Sequence, residues 1–118
     1  MTDQRKNLGR TGEKKAIEYL ENSGFQIIEK NLRLDTGEAD IIAEHDNVIY
    51  FIEVKTRRMG DILESYSQKQ KKRLWRLAES YIARKNITKQ VGFAVLGISG
   101  SPESDRCEIE IIFDNFEP

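Results

Sequence analysis

Two apolar runs, Ala39-Asp40-Ile41-Ile42-Ala43-Glu44 and Val48-Ile49-Tyr50-Phe51-Ile52-Glu53-Val54-Lys55, stand on either side of the turn-prone His45-Asp46-Asn47. Both are rich in β-branched and aromatic residues, and together they read as a hairpin. With Asp46-Asn47 as a two-residue loop, His45 pairs with Val48 and Asp40 falls directly opposite Glu53. A three-residue loop would turn Asp40 away, because one step of register exchanges the two faces. The second run is apolar on both sides: Ile49 and Phe51 share a face with Glu53, and Val48, Tyr50, Ile52 and Val54 occupy the other. Such a strand is central and buried.

Opposed carboxylates in an antiparallel pair, with Cβ atoms roughly 4.5–5.5 Å apart, repel each other, so a cation is expected between Asp40 and Glu53. Lys55 projects to the same face as Glu53, about 6.5 Å further along the strand. Charges at the end of a buried strand are costly unless paired or bound to metal. Two readings remain open at this point. In one, Asp40 and Glu53 hold a metal ion with Lys55 beside it. In the other, Lys55 and Glu38, opposite in the same register, form an ordinary cross-strand ion pair.

The rest of the chain supplies the neighbours such a hairpin needs. A helix is expected from about Asn7 to Asn22, stopped by Ser23-Gly24, with Ala16, Ile17 and Leu20 as its apolar stripe. Glu13 falls on that stripe, either as a first-turn acid favoured by the helix dipole or as an acid reaching over the sheet toward Asp40 and Glu53. A strand follows over Phe25 to Lys30, then a turn region from Asn31 to Thr36. After Lys55, the polar segment from Thr56 to Asp61 reads as a loop. Ser67 and Gln70 match a capping box opening a helix that runs to about Asn86, with Leu74, Leu77, Ala78, Tyr81 and Ile82 inward. Val91 to Ile98 and Cys107 to Phe113 are strands, separated by a turn cluster from Ser99 to Asp105. The expected order is αβββαββ.

At 118 residues this is one domain. No apolar run of about 18 residues is present, so no membrane span is expected. The N-terminus lacks the apolar segment of a secretory signal, and a cytoplasmic location is the default. Cys107 is the only cysteine and His45 the only histidine; they read as a strand residue and a turn residue and provide no zinc cluster.

The net charge is −1, yet the segment from Lys55 to Lys89 carries +8 and the remainder −9. A basic surface on an acidic body fits a nucleic-acid partner. Lys69, Lys71, Lys72, Arg73 and Arg76 load the first turns of the second helix, against the helix dipole, and Arg57 and Arg58 sit in the preceding loop. These seven are the candidate nucleic-acid-binding residues, although a solvated charged face accounts for any one of them equally well. Trp75 on the same helix either stacks on a base or covers apolar surface.

Gly9-Arg10-Thr11-Gly12-Glu13, Ala16, Tyr19-Leu20, Gly24-Phe25, Asn31-x-Arg33, Gly37-Glu38-Ala39-Asp40-Ile41-Ile42 and Phe51-Ile52-Glu53-Val54-Lys55-Thr56-Arg57 resemble the YraN family of uncharacterised bacterial proteins, over most of the chain. That family is related to restriction endonuclease-like nucleases and archaeal Holliday-junction resolvases. The resemblance implies a restriction endonuclease-like α/β fold, a mixed β-sheet flanked by helices. It puts Asp40, Glu53 and Lys55 at the catalytic-motif positions and Glu13 at the first-helix acid. Asp40 and Glu53, with Glu13 as a third acid, would hold Mg2+ or Mn2+, since hard divalent ions take carboxylate oxygens and substrate phosphates as ligands. The implied activity is metal-dependent hydrolysis of DNA phosphodiesters, in branched or structured DNA. The alternative is a non-catalytic nucleic-acid-binding or adaptor module that keeps the fold, and a weaker third reading is a structural partner docking through the acidic C-terminal end. Related resolvases act as dimers, so a homodimer would suit a branched substrate. Two departures stand out. Gly92-Phe93-Ala94-Val95 replaces the Arg-Phe-Asp-Val common in the family, and the family's helix lysine aligns with either Lys69 or Gln70.

Overall fold

A computed structural model describes residues 2–56, 68–100 and 106–114. The elements are α1 (Thr2–Asn22), β1 (Gln26–Leu34), β2 (Gly37–His45), β3 (Val48–Thr56), α2 (Gln68–Lys85), β4 (Gln90–Ser99) and β5 (Glu108–Asp114), in the expected order. The five strands form one sheet in spatial order β1-β2-β3-β4-β5. β3 and β4 run parallel and every other neighbour is antiparallel. A parallel pair needs a crossover, and α2 provides it.

Both helix ends follow from local chemistry. At the end of α1, Phe25 N donates to Leu20 O and Gly24 N to Glu21 O, the paired bonds of a Schellman cap, and Phe25 and Leu20 close it with an apolar contact. α2 ends the same way, with Asn86 in the left-handed region at φ 52° and Ile87 N donating to Ile82 O. α1 begins at Thr2, five residues ahead of expectation. Ser67 of the expected capping box lies outside the described residues, and α2 begins at the position after it.

The β2–β3 hairpin closes on Asp46 and Asn47, both at positive φ (49° and 68°), as a type I′ loop requires. His45 pairs with Val48 and Ile41 with Ile52, the expected register. β1 is longer than its sequence implied. The stretch from Asn31 to Leu34 reads as a turn by polarity, but Leu32, Arg33 and Leu34 pair with Ala39, Glu38 and Gly37. Leu32 and Leu34 alternate into the apolar cluster beneath α2, and burying that pair offsets the polar residues between them.

The sheet has a helix on each face. Ala16 and Leu20 of α1 pack with Phe25, Ile41, Ala43, Ile52, Ala94, Leu96 and Ile98. Leu74, Leu77, Ala78 and Tyr81 of α2 pack with Ala39, Ile42, Ile49, Phe51 and Phe93. β3 supplies both layers, as its two apolar faces require. The Tyr81 hydroxyl bonds Glu29, and burial together with that carboxylate pushes its pKa up to about 12, tying α2 to β1. Trp75 packs on Phe93 at 5.5 Å between ring centroids, so it covers apolar surface. His45 stacks on Phe25 at 4.5 Å, and Cys107 lies half-buried against the α1 layer. No helix among the described residues is long and apolar enough to cross a membrane.

Gly92 shows how this chain accommodates its departure from the family pattern. A Cβ there would stand 2.7 and 2.8 Å from the Tyr50 ring, and that ring is held between Phe25 at 5.8 Å and Phe113 at 5.2 Å. Tyr50 therefore fills the space a side chain at position 92 would use. Gly92→Ala is expected to lower stability by about 1–3 kcal/mol through overpacking. In the Tyr50→Val background the same change should cost less than half as much, measured as a double-mutant cycle by urea denaturation; equal costs in both backgrounds would contradict this packing account.

Candidate functional site

The hairpin ladder stops at Ile41↔Ile52, one step short of Asp40 and Glu53. Beyond that step β2 stays with β1, through Ala39↔Leu32 and Glu38↔Arg33. β3 meanwhile stays with β4 as far as Thr56↔Ile98. The two central strands part here, and the Asp40 carboxylate enters the gap. Its Oδ2 accepts a hydrogen bond from Val54 N at 2.8 Å, so a side chain takes a strand amide that a backbone carbonyl would otherwise satisfy.

Asp40 and Glu53 line one cavity of about 490 Å3 together with Arg33, Glu38, Gln70, Arg73 and Arg76. Its roof is the first half of α2. That helix is held down by the β1–β2 turn, where Thr36 Oγ1 donates to Ser80 Oγ at 3.2 Å and Gly37 lies against the backbone carbonyl of Arg73. Lys55 Nζ lies 3.5 Å from Glu53 Oε1, with both side chains largely buried. Glu38 pairs instead with Arg33, Nε to Oε2 at 3.2 Å on the exposed rim. The Glu38–Lys55 bridge that the register allowed is not formed, and Lys55 belongs to Glu53. Lys55 thus supplies a cation to Glu53, and its charge also acts weakly on Asp40.

Burial raises the Asp40 carboxyl from its ordinary 3.8 to about 6; the Val54 amide opposes the rise, the charges of Glu53 and Glu38 add to it, and Lys55 lowers it. Two acids under one roof, one of them with its carboxyl pushed up to about 6, make a set of oxygen donors. A divalent cation fits such a donor set, because magnesium is content with one or two carboxylates and fills its remaining positions with water and phosphate oxygens.

Glu13 is not gathered into this cavity. Both of its oxygens accept from Asn31 Nδ2, at 3.0 and 3.1 Å, and it opens into a hollow with Lys14, Ile17 and Lys30 on the α1 side. Among the described residues no group of three His, Cys, Asp or Glu is arranged to hold an ion. Of the basic residues, Arg73 and Arg76 face the cavity, and Arg76 also borders a shallow hollow with Lys72, Trp75 and Glu79. Lys69 is exposed and Lys71 half-buried. Arg57 and Arg58 lie outside the described residues. Gln70, not Lys69, lines the cavity, so of the two it is Gln70 that faces the acids. Arg33 stands out in sequence only within the Asn31-x-Arg33 resemblance; its place at the rim follows from β1 extending to Leu34. Gly92 and Ala94 belong to the α1 side, where Ala94 is buried beside Ile52 and Leu96. Positions 92 and 94, where the family's Arg and Asp would stand, are therefore not among the residues lining the Asp40–Glu53 cavity.

The family model described as "Uncharacterised protein family UPF0102" matches residues 12–112. The chain belongs to this family. A UPF0102 protein of Dictyoglomus turgidum is 36% identical over 115 residues, covering 94% of this chain and 98% of its own. One of Cytophaga hutchinsonii is 44% identical over 95 residues, covering 78% and 84%, and one of Caldicellulosiruptor saccharolyticus is 34% identical over 116 residues, covering 95% and 98%. UPF0102 is the YraN family of the sequence resemblance, so the motifs named there identified the family correctly. The match takes in Glu13, Asn31, Asp40, Glu53, Lys55 and the whole of α2.

Because its folded pKa lies above the ordinary value, Asp40 supports folding fully below about pH 4, and that support is lost as pH rises through about 6. Asp40→Asn keeps an acceptor for Val54 N without the buried charge. The metal-free variant is expected to be more stable than wild type near neutral pH by roughly 2 kcal/mol, a figure reduced for solvent at the cavity mouth. The difference should shrink toward zero at about pH 4. Denaturant titrations at three pH values check this, and a difference that stays constant with pH would refute the assignment to Asp40 ionisation.

Proposed function

We propose that this protein is a metal-dependent nuclease that hydrolyses DNA phosphodiesters, with branched or structured DNA as the substrate form. The observation that carries the reading is the parting of β2 and β3 at Asp40, which sets two half-buried carboxylates beneath a helix wall bearing Arg73 and Arg76. Asp40 and Glu53 are the residues that would hold Mg2+ or Mn2+. Bound there, the ion would supply Lewis acidity toward a phosphate oxygen and toward its own water. Lys55, 3.5 Å from Glu53, offers positive charge to the negative charge that develops on phosphate oxygens during attack. Arg73 and Arg76 offer forked donors suited to phosphate, and among the described residues neither has a carboxylate partner. Gln70 presents an amide to the same space, able to donate to a phosphate oxygen or accept from water.

A second reading is a binding module that uses the basic face without cutting. It is favoured by the exposed cations on α2 outside the cavity, Lys69 and Lys72, which stand apart from the acids of the site. Calorimetric titration of wild type and Asp40→Ala with Mg2+ and Mn2+, alongside cleavage assays on four-way-junction and duplex DNA, separates the two. The nuclease reading expects metal binding that Asp40→Ala abolishes, and a cleavage rate that falls by at least about a hundredfold in that variant, as loss of a principal electrostatic stabiliser does. No metal binding together with no cleavage would end it and leave the binding module.

DNA association itself is expected to persist in Asp40→Ala. It should weaken when Lys71, Lys72 and Arg73 are neutralised, with the log–log salt slope falling by about one for each phosphate no longer neutralised. An affinity indifferent to salt would count against both readings.

A further inference from the structure

We infer that Glu13 and Asn31 together aim Asp40, Glu13 acting as a positioning residue through Asn31; the inference rests on the proposed role of Asp40. Residues two apart in a strand share a face; apart from the bulge in β1 between Ile27 and Glu29, β1 and β2 break this rule together at one place. Lys30 lines the hollow beside Glu13 and Ile17 on the α1 side, yet Leu32 packs in the layer beneath α2. In the neighbouring strand Ile41 lies beneath α1 and Ala39 beneath α2. The pairs Lys30↔Ile41 and Leu32↔Ala39 are both in register, so the residues at which the faces exchange are Asn31 and Asp40, opposite one another. Asn31 has φ 52°, the left-handed backbone that turns a strand over and that Asn tolerates better than other residues with a Cβ.

Glu13 holds that turn in place. Asn31 Nδ2 donates to both Glu13 oxygens, at 3.0 and 3.1 Å. α1 reaches this position because the residue before Glu13 is glycine: a Cβ at Gly12 would stand 2.8 Å from Thr56 Cγ2. The connection therefore runs from the close approach of α1 on the end of β3, through Glu13 to the Asn31 backbone, and across the ladder to the orientation of Asp40. A first-helix acid is accounted for here by a protein partner on the α1 side, outside the cavity that the two ligand candidates share.

Val54 supplies a reporter that needs no metal and no activity, because its amide donates to Asp40 Oδ2 at 2.8 Å and its proton resonance follows that carboxylate. In 15N-labelled protein, Glu13→Gln, which keeps an oxygen for Asn31, is expected to leave the Val54 amide at its wild-type position and Mn2+ affinity within about threefold. Glu13→Leu is expected to move the Val54 resonance and weaken Mn2+ binding by roughly tenfold, the lower end of the effect of losing an orienting partner. Asn31→Gly, which accepts the left-handed backbone and loses only the amide, should follow Glu13→Leu and keeps the test open if the leucine variant does not fold. A Val54 amide unmoved in both Glu13→Leu and Asn31→Gly overturns the inference. So does a Glu13→Gln variant that loses Mn2+ as completely as Asp40→Ala, since Glu13 would then be a direct ligand. Absence of Mn2+ binding in wild type would instead end the metal-site reading, with the Val54 resonance still deciding whether Glu13 positions Asp40.

Discussion

The hydrogen bond from Val54 N to Asp40 Oδ2 organises this molecule. A strand amide in the middle of a sheet must find an acceptor, and where two central strands separate, one edge loses its carbonyl. Asp40 supplies the acceptor from a side chain and so permits β2 and β3 to part without an unsatisfied donor. The opening created by that parting is the space that Glu53, Lys55 and the first half of α2 surround. Fold and candidate site therefore share an atom: the group that caps the split is also the group the site needs.

The two faces of the sheet divide the labour. The α1 side is a packed layer with aromatic closure at Tyr50, Phe25 and Phe113, and the replacements at positions 92 and 94 are absorbed there. The α2 side carries the acids and arginines. A chain can change the first layer while leaving the second intact, because the alternation of a strand sends neighbouring residues to opposite faces. Gly92 and Ala94 lie two residues apart on the packed face, with Phe93 between them beneath α2. A departure conspicuous in sequence thus falls on the face opposite the cavity.

Much of this was legible in order along the chain. Asp46-Asn47 permits few loop conformations, so the hairpin register followed from two residues, and β3 declared itself central by being apolar on both sides. The basic helix and its apolar stripe were equally plain. Two features were not. The stretch from Asn31 to Leu34 resembles a turn in polarity, and only its pairing with β2 and the burial of Leu32 and Leu34 beneath α2 make it strand. Glu13 stands on an inward-facing stripe that points toward the sheet, but which group on the sheet receives it depends on Asn31, eighteen residues away.

The sequence by itself determined the family, the element order, the hairpin register as far as Ile41 and Ile52, and the basic face of the second helix, because each follows from short-range periodicity, turn chemistry or motif spacing. Only the tertiary structure decided which cations serve which acids. Lys55 stays with Glu53 and Glu38 turns to Arg33, because the ladder that would have placed Lys55 opposite Glu38 ends at Ile41 and Ile52. It also decided that Gln70, Arg73 and Arg76 roof the cavity, through the docking of the Thr36-Gly37 turn on α2. Choices of that kind belong to packing between distant segments, where backbone separation and burial set the partners and no local pattern records them.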